Sequence, residues 1–343
     1  MRVAMYYNNS DVRLEKTKKP AIFDDEILIK ILSSGICGSD VMEWYRIKKA
    51  PLVLGHEISG EIVKIGKDVE NFSLGDRVVA THHVPCNNCE YCQRGQHSLC
   101  HSIHNTKYYP GGFSEFVRLP AVNLAKGGVL KIPDSVSYDD ASFVEPLGCV
   151  VRGLRELDFK PSRSILVLGS GLSGQLVIRN AKAYGAGKII ATDLNDYRLD
   201  FAKKSGADLV IDAKQDDVIK KVLAETDGQG VDYVVITAGA KILFEQAMQT
   251  VKNGGKVLLY GIMAPGTIID FDIFPFWQKQ VQLLSTYAAA PIDLREALEL
   301  IRAKRVAVTD LITHRLGLVE TGKGFELTAN AADSMKVIIN PQK

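Results

Sequence analysis

At 343 residues the chain is too long for one ordinary core, and its 46 % hydrophobic and 24 % charged composition is that of a folded globular protein, not a disordered one. A formal net charge of +2 excludes the basic footprint of a nucleic-acid- or anionic-membrane-binding protein, and no stretch approaches the ~20 apolar residues of a membrane span. The first twenty residues carry no apolar run of signal-peptide length, so the cytoplasm is the expected compartment.

From the N-terminus, β-like runs alternate with turn residues at 26–32, 60–66 and 75–80, the pattern of a mainly antiparallel, partly barrelled domain. Beyond residue 163 the rhythm becomes strand, glycine turn, helix, strand, with strands expected at 164–168, 188–193, 208–212, 232–237, 256–261 and 281–286 and helices such as 196–204 between them. That cadence predicts an α/β unit with a six-stranded parallel sheet. After it come one amphipathic helix, 293–303, and a closing apolar strand, 335–340. With no linker rich in Pro, Gly or Ser, the chain reads as a nucleotide-binding unit inserted into a discontinuous first domain.

Four of the six cysteines, Cys86, Cys89, Cys92 and Cys100, form a C-x2-C-x2-C-x7-C cluster within fifteen residues. Four thiolates so spaced can surround one tetrahedral zinc as a closed, structural site. Such crowding argues against a secreted disulfide framework. Cys149, in an apolar run, reads as a small buried hydrophobe.

Gly169-x-Gly171-x-x-Gly174 follows the apolar run 165–168 and opens a helix extending to Ala183, the setting in which glycines let the backbone approach a pyrophosphate at a helix N-terminus. Alone, such a motif is just a tight loop. Asp193, nineteen residues beyond Gly174, is placed to accept hydrogen bonds from the adenosine ribose and to repel a 2′-phosphate, which favours NAD over NADP. Its bland alternative is a turn or helix-capping role. Arg198 either flanks the nucleotide or is a solvated helix residue.

Cys37, in the turn 35–40, and His56 with Glu57 bring three zinc-ligand types together, as a catalytic zinc with one open position needs. Each alone is more often a packing residue. The combination with a closed cysteine cluster and a dinucleotide motif favours the metal reading.

The ordered set Cys37-Gly38-Ser39-Asp40, Gly55-His56-Glu57-x-x-Gly60-Glu61-Ile62-Val63-x-x-Gly66, Gly75-Asp76-Arg77-Val78, the cysteine lobe, Gly111-Gly112-Phe113-Ser114-Glu115-Phe116 and the Gly169 motif resembles the zinc-dependent medium-chain alcohol dehydrogenases over essentially the whole chain. The branch it most resembles contains the sorbitol (polyol) and threonine dehydrogenases. The resemblance implies a GroES-like, partly open β-barrel catalytic domain at 1–147 and 288–343, with a structural zinc lobe at 84–102, and an NAD-binding Rossmann domain at 148–287. It further implies an active site between the domains and a homotetramer, with a dimer as the alternative. Residue by residue, Cys37 and His56 match ligands of the catalytic zinc, and Glu57 matches a glutamate that ligates the metal or sits behind it. Glu145, before Pro146-Leu147, matches a further carboxylate ligand, with Cys149 as the lesser candidate. Ser39 matches the hydroxyl that takes the alcohol proton. Gly169, Gly171, Ser173, Gly174, Asp193, Arg198, Gly261 and Ile262 are the expected NAD contacts. Met42 departs from the pattern: many relatives have there a histidine that completes the proton relay, and Glu43 or a water chain would have to replace it. The segment 44–50 is also shorter than in typical polyol dehydrogenases, which alters the pocket.

These residues predict two zinc ions per subunit and NAD, serving oxidation of a secondary alcohol, polyol, sugar alcohol or cyclitol to a ketone. L-threonine or another amino alcohol is the alternative substrate. Trp44, Tyr45, Phe113 and Tyr287 are candidates for the substrate wall, and His82 and His83 could face it. A zinc-ribbon binding module is disfavoured by the near-neutral charge and the second metal constellation, and a zinc-free reductase of the same fold by the presence of Cys37, His56 and Glu57.

Overall fold

Apolar residues at alternating positions build the N-terminal strands, β1 (Arg2–Asn8), β2 (Asp11–Lys16), β3 (Ile27–Gly35), β4 (Leu52–Val53), β5 (Glu57–Ile65), β6 (Arg77–Ala80), β7 (Phe116–Leu119) and β8 (Val129–Lys131). Six more, β9 (Ser164–Leu168), β10 (Lys188–Asp193), β11 (Leu209–Asp212), β12 (Val231–Ile236), β13 (Val251–Leu259) and β14 (Gln282–Ser285), follow in a second region, before β15 (Ile312–Gly317) and β16 (Lys336–Asn340) end the chain. The computed structural model describes all 343 residues and divides them into two units, Met1–Gly148 with Ala288–Lys343, and Cys149–Tyr287. The division falls inside the helix Val144–Glu156.

In the first unit β3 is the hub. One of its edges pairs antiparallel with β5; the other is shared, its beginning by β7 and its end by β16. The sheet runs β15-β16-β3-β5-β6-β8, antiparallel except for β15 with β16, and a small sheet β2-β1-β4 lies apart from it. Two apolar cores lie in this unit, and the alternate isoleucines of β3 and β5 belong to the first of them. Ile27, Ile29, Ile31, Ile58, Ile62, Val78 and Val117 fill one; Tyr6, Ile36, Phe113, Phe325 and Ile339 belong to the other.

The C-terminal segment holds more structure than its sequence suggests. Between the helix Pro291–Arg302 and β16 lie β15 and a further helix, Thr321–Asn330. Gly322 and Gly324 disguise the helical period, yet Gly324 is needed where it stands, since a β-carbon there would come 2.6 Å from Ile36 Cδ1.

The second unit is an all-parallel six-stranded sheet in the order β11-β10-β9-β12-β13-β14, with each sequence-expected strand present. The reversal of strand order between β9 and β12 creates the switch point at which doubly wound sheets bind ligands beyond their carboxyl ends. One boundary differs: β13 begins at Val251, five residues before the expected start. Asn253-Gly254-Gly255 reads as a turn, but here the register slips between Val231/Val251 and Tyr233/Lys256, so the glycines form a bulge within the strand.

Candidate metal centre and nucleotide site

The pairing of β3 with β5 places Gly35 opposite Glu57, so Cys37, two residues past the first, meets His56 and Glu57 at the start of the second. One ligand atom from each of these three residues lies within 4.8 Å of the others. Gly35 has to lack a side chain because a β-carbon would overlap the Glu57 carboxylate. Gly55, at φ +93°, turns the chain into His56 while its α-carbon abuts the Phe113 backbone.

Around these donors stands a buried ionic shell. Asp40 Oδ2 accepts the Cys37 N–H at 3.1 Å, and its Oδ1 lies 3.3 Å from His56 Nδ1 and 3.5 Å from Arg46 Nη2. With Nδ1 turned to the Asp40 carboxylate, Nε2 of His56 is left for coordination, the usual disposition of a metal-binding imidazole. Burial opposes charge on His56, but Asp40 and the Cys37 sulfur outweigh it and raise the pKa well above the ordinary value. Burial also opposes charge on Asp40, yet His56 and Arg46 keep its pKa below the usual carboxylate range. Glu57 forms a wholly buried ion pair with Lys336, whose Nζ also donates to the Ile36 carbonyl at 3.2 Å. The other carboxylate oxygen, Glu57 Oε1, is buried with no hydrogen-bond partner. An unsatisfied acceptor beside a thiol and an imidazole fits a divalent cation, which would relieve its desolvation cost.

Glu145 is buried on the helix Val144–Glu156 but does not join the close set of Cys37, His56 and Glu57. Its charge is felt at Tyr108, whose hydroxyl donates to the His56 carbonyl at 2.8 Å; burial, then Glu145, Asp40 and Glu57, raise the Tyr108 pKa well above normal. Cys149 is likewise outside the set. Ser39 Oγ lies 3.4 Å from Cys37 Sγ. The rings of His82 and His56 are 5.2 Å apart and those of His82 and His83 are 3.8 Å apart. Burial first, then neighbouring positive groups, keep both histidines uncharged, with His83 lowered to about 3.

The expected aromatic wall divides. Trp44 and Tyr287 are 40 % and 39 % exposed, and Trp44 packs on Tyr45 at 5.7 Å between ring centres. Phe113, at 1 % exposure, instead packs edge-on to Phe325 within the core, its ring lying under Gly55, and does not stand in an exposed wall. Met42 precedes the short helix Glu43–Arg46 without capping it by its side chain. Asp40, Arg46, Tyr108 and Lys336 went unassigned in the sequence; only Asp40, inside the Cys37 motif, carried a local signal.

The second donor cluster is local. The sulfurs of Cys86, Cys89, Cys92 and Cys100 lie within 4.8 Å of one another, at 3.5 Å for Cys89–Cys92 and 4.0 Å for Cys86–Cys92, and none is in a disulfide. Tetrahedral bonds of ~2.3 Å to zinc place sulfurs about 3.8 Å apart, so the cage fits that ion. The N–H groups of Cys86 and Cys89 donate to Cys100 and Cys86 at 3.3 Å. Burial and Cys89 push Cys92 up to about 12; burial acts upward on Cys100 as well, but N–H donors from Cys86 and Ser102 bring it down to about 6. Thiols held apart in this way cannot all ionise without a cation among them.

In the second unit, β9 ends at Leu168, Gly169 follows at φ +97°, and the helix begins at Leu172 and runs to Ala183. A β-carbon on Gly174 would overlap the Gly169 carbonyl, whereas one on Gly171 would meet nothing closer than Arg198 Cζ at 4.0 Å. Gly174 therefore serves packing and Gly171 leaves open space. The helix N-terminus has no side-chain cap, leaving its N–H groups to an anion. Asp193 Oδ2 accepts the Ser170 N–H at 2.7 Å and Oδ1 the Asn195 N–H at 3.0 Å, while Arg198 lies 3.7 Å away. Asp193 thus ties the glycine turn to the end of β10, and the capping role it might have had falls to Asn195, which accepts the Tyr197 N–H. Across the switch point Thr237 donates to the Gly169 carbonyl at 2.7 Å. Gly261 packs against Thr237 and Ala238, leaving Ile262 46 % exposed beside Gly239. Ser173 stands in the first turn of the helix.

Two family models match the chain, the alcohol dehydrogenase GroES-like domain at residues 23–134 and the zinc-binding dehydrogenase at residues 174–303. The chain is 30 % identical to the sorbitol dehydrogenase of Bacillus subtilis, covering 100 % of this chain and 98 % of that protein. It is 34 % identical to the L-threonine 3-dehydrogenase of Pyrococcus horikoshii over 91 % of this chain and 88 % of that one. The solved structure of 2R,3R-butanediol dehydrogenase from Bacillus subtilis superposes with a TM-score of 0.87 at 27 % identity, covering 99 % of both chains. The chain belongs to the zinc-dependent medium-chain alcohol dehydrogenase family. It is an oxidoreductase of the alcohol and polyol dehydrogenase type, built from a GroES-like domain and a Rossmann-type parallel sheet. No helix is long and apolar enough to cross a membrane.

Proposed function

We propose that the protein interconverts a secondary alcohol, of the polyol, sugar-alcohol or cyclitol class, with its ketone, using NAD and a catalytic zinc held by Cys37, His56 and a carboxylate. The observation that carries this reading is the convergence of Cys37, His56 and the unsatisfied Glu57 oxygen, backed by the buried Asp40 and Lys336 charges. A zinc held there would supply Lewis-acid polarisation of the substrate oxygen, and bound NAD would supply the hydride acceptor. Asp40 orients the His56 ring, Lys336 holds one Glu57 oxygen, and Ser39 relays the alcohol proton, accepting it at Oγ as its own hydroxyl proton passes onward. Glu57 is the favoured carboxylate ligand, since Glu145 lies outside the close set. The uncapped helix start at Leu172 receives the pyrophosphate, and Asp193, its carboxylate fixed at the end of β10, disfavours a 2′-phosphate. Exposed apolar side chains on the helix Ile273–Lys279, with Trp277 at 70 %, stand next in sequence to the outermost strand β14 and support a homo-oligomer, a tetramer in this reading. Six free cysteines support a reducing, cytoplasmic setting.

The test is a panel of polyols, inositols, sugars, secondary alcohols and threonine, followed by reduced-cofactor absorbance with NAD or NADP, before and after chelation. NAD-linked oxidation of a polyol or secondary alcohol, abolished by chelation, is expected. Activity with NADP alone would remove Asp193 from its assigned role, and activity indifferent to metal would remove the Cys37 site. Threonine as the sole substrate would place the enzyme with the amino-alcohol oxidisers.

A further inference from the structure

Arg46 closes the short helix that follows the Cys37 turn, and nothing in its sequence surroundings marks it out. Its side chain is only 15 % exposed and makes a set of contacts that an ordinary surface arginine does not. Nε donates to the Ser39 carbonyl at 2.9 Å, Nη2 donates to Ser39 Oγ at 3.0 Å, and Nη2 also reaches Asp40 Oδ1 at 3.5 Å. The guanidinium carbon lies 4.7 Å from the centre of the Tyr45 ring, which fixes the plane of the fork.

Those contacts decide what Ser39 can do. A serine hydroxyl has one hydrogen and two lone pairs. Since arginine is a donor only, its bond to Ser39 Oγ occupies a lone pair and forbids the hydroxyl hydrogen from pointing that way. One lone pair is left to accept from a substrate hydroxyl, and the hydrogen is directed to Cys37 Sγ, 3.4 Å away. A free hydroxyl rotor becomes a fixed one. The same guanidinium nitrogen touches the carboxylate that orients His56, so the proton-accepting hydroxyl and the imidazole ligand share a single anchor. Lysine, a point charge on a flexible stem, cannot hold the Ser39 carbonyl, the Ser39 hydroxyl and Asp40 in one plane.

Building on the dehydrogenase reading above, we propose that Arg46 is a positioning residue of the reaction: its guanidinium locks the Ser39 hydroxyl toward the substrate and steadies Asp40 behind His56. Its importance follows from Met42, which offers no polar group to organise the hydroxyl.

The proposal is tested by a cycle of Ser39→Ala, Arg46→Ala and the double substitution in the zinc-loaded enzyme, with Arg46→Lys alongside. Arg46→Ala should lower kcat about tenfold to a hundredfold while the substrate KM changes less than about threefold, and Arg46→Lys should recover part of the loss. The double variant should fall within about twofold of Ser39→Ala in kcat, because the effect on turnover passes through the hydroxyl and is lost with it, whereas the Asp40 contact is read by zinc release. Zinc transfer to a chromophoric chelator should quicken several-fold in Arg46→Ala and not in Ser39→Ala. Losses in kcat that multiply, full activity in Arg46→Ala, or unchanged zinc release in that variant would overturn the proposal. Should Arg46→Ala fail to fold, Arg46→Lys and Arg46→Gln carry the same comparison. A wild-type enzyme that turns over no alcohol would refute the function instead, and zinc release would then decide the Arg46–Asp40 link by itself.

Discussion

The two donor clusters of this chain hold metals by opposite strategies. The lobe takes four sulfurs from a run of fifteen residues, with local N–H···S bonds as polar support. The Cys37 centre takes three different donors from the ends of two strands and surrounds them with buried charges drawn from as far away as Lys336. A symmetric thiolate cage closes on its ion and contributes stability; a mixed, asymmetric set leaves a position open and spends its surroundings on tuning. In the reading proposed above, the difference assigns catalysis to the cluster that the fold has to assemble.

The sharpest way to break that contrast is to remove one sulfur from each cluster. Cys92→Ser should cost one zinc per chain and much of the folded yield, since structural zinc contributes about 10–16 kcal/mol of apparent binding energy. Cys37→Ser should also cost one zinc and bring turnover to background, with the melting temperature within a few degrees of the parent. Metal analysis and calorimetry read both, and equal destabilisation by the two would erase the distinction.

Next in size is the Glu57–Lys336 pair. Lys336→Met leaves a carboxylate buried without its cation and should destabilise the zinc-depleted protein by about 3–5 kcal/mol in denaturant unfolding. Bound zinc beside Glu57 should reduce that loss. An equal loss with and without zinc would mean that Glu57 does not face the metal.

The smallest effect is a difference in pH slope. The raised pKa of His56 means that the metal-free site holds a proton there at neutral pH, so zinc has to displace it. For the metal-free protein the sign is that of any raised histidine: its stabilisation is complete below the ordinary value and fades as pH climbs through the raised one. Zinc affinity therefore increases with pH, about tenfold per unit for each proton displaced. The lobe, with Cys92 protonated up to about 12, releases more protons and should show the steeper slope in chelator competition. A steeper slope at the Cys37 site would contradict the assignment.

Legibility from sequence follows the same divide. The cysteine spacing and the glycine turn are local, and both were readable to the residue: Gly174 is glycine because of Gly169, five residues away. The parallel sheet was readable because both-face burial makes its strands continuous apolar runs. Lys336 was not, because it meets Glu57 across 279 residues and no spacing announces such a pair. Arg46 carries no signal in its local sequence, and only the turn of the short helix brings it back over Ser39. Phe113 sat inside a motif associated with the active site, yet tertiary packing assigned it to the core.

The most direct test of the central claim is stepwise zinc removal from one preparation, with metal content, NAD-linked alcohol oxidation and far-ultraviolet circular dichroism followed together. The account predicts that the first zinc equivalent to leave abolishes turnover while the dichroism is unchanged, and that the second leaves only as the structure loosens. Activity that survives loss of the first equivalent, or falls only when both have gone, would contradict it.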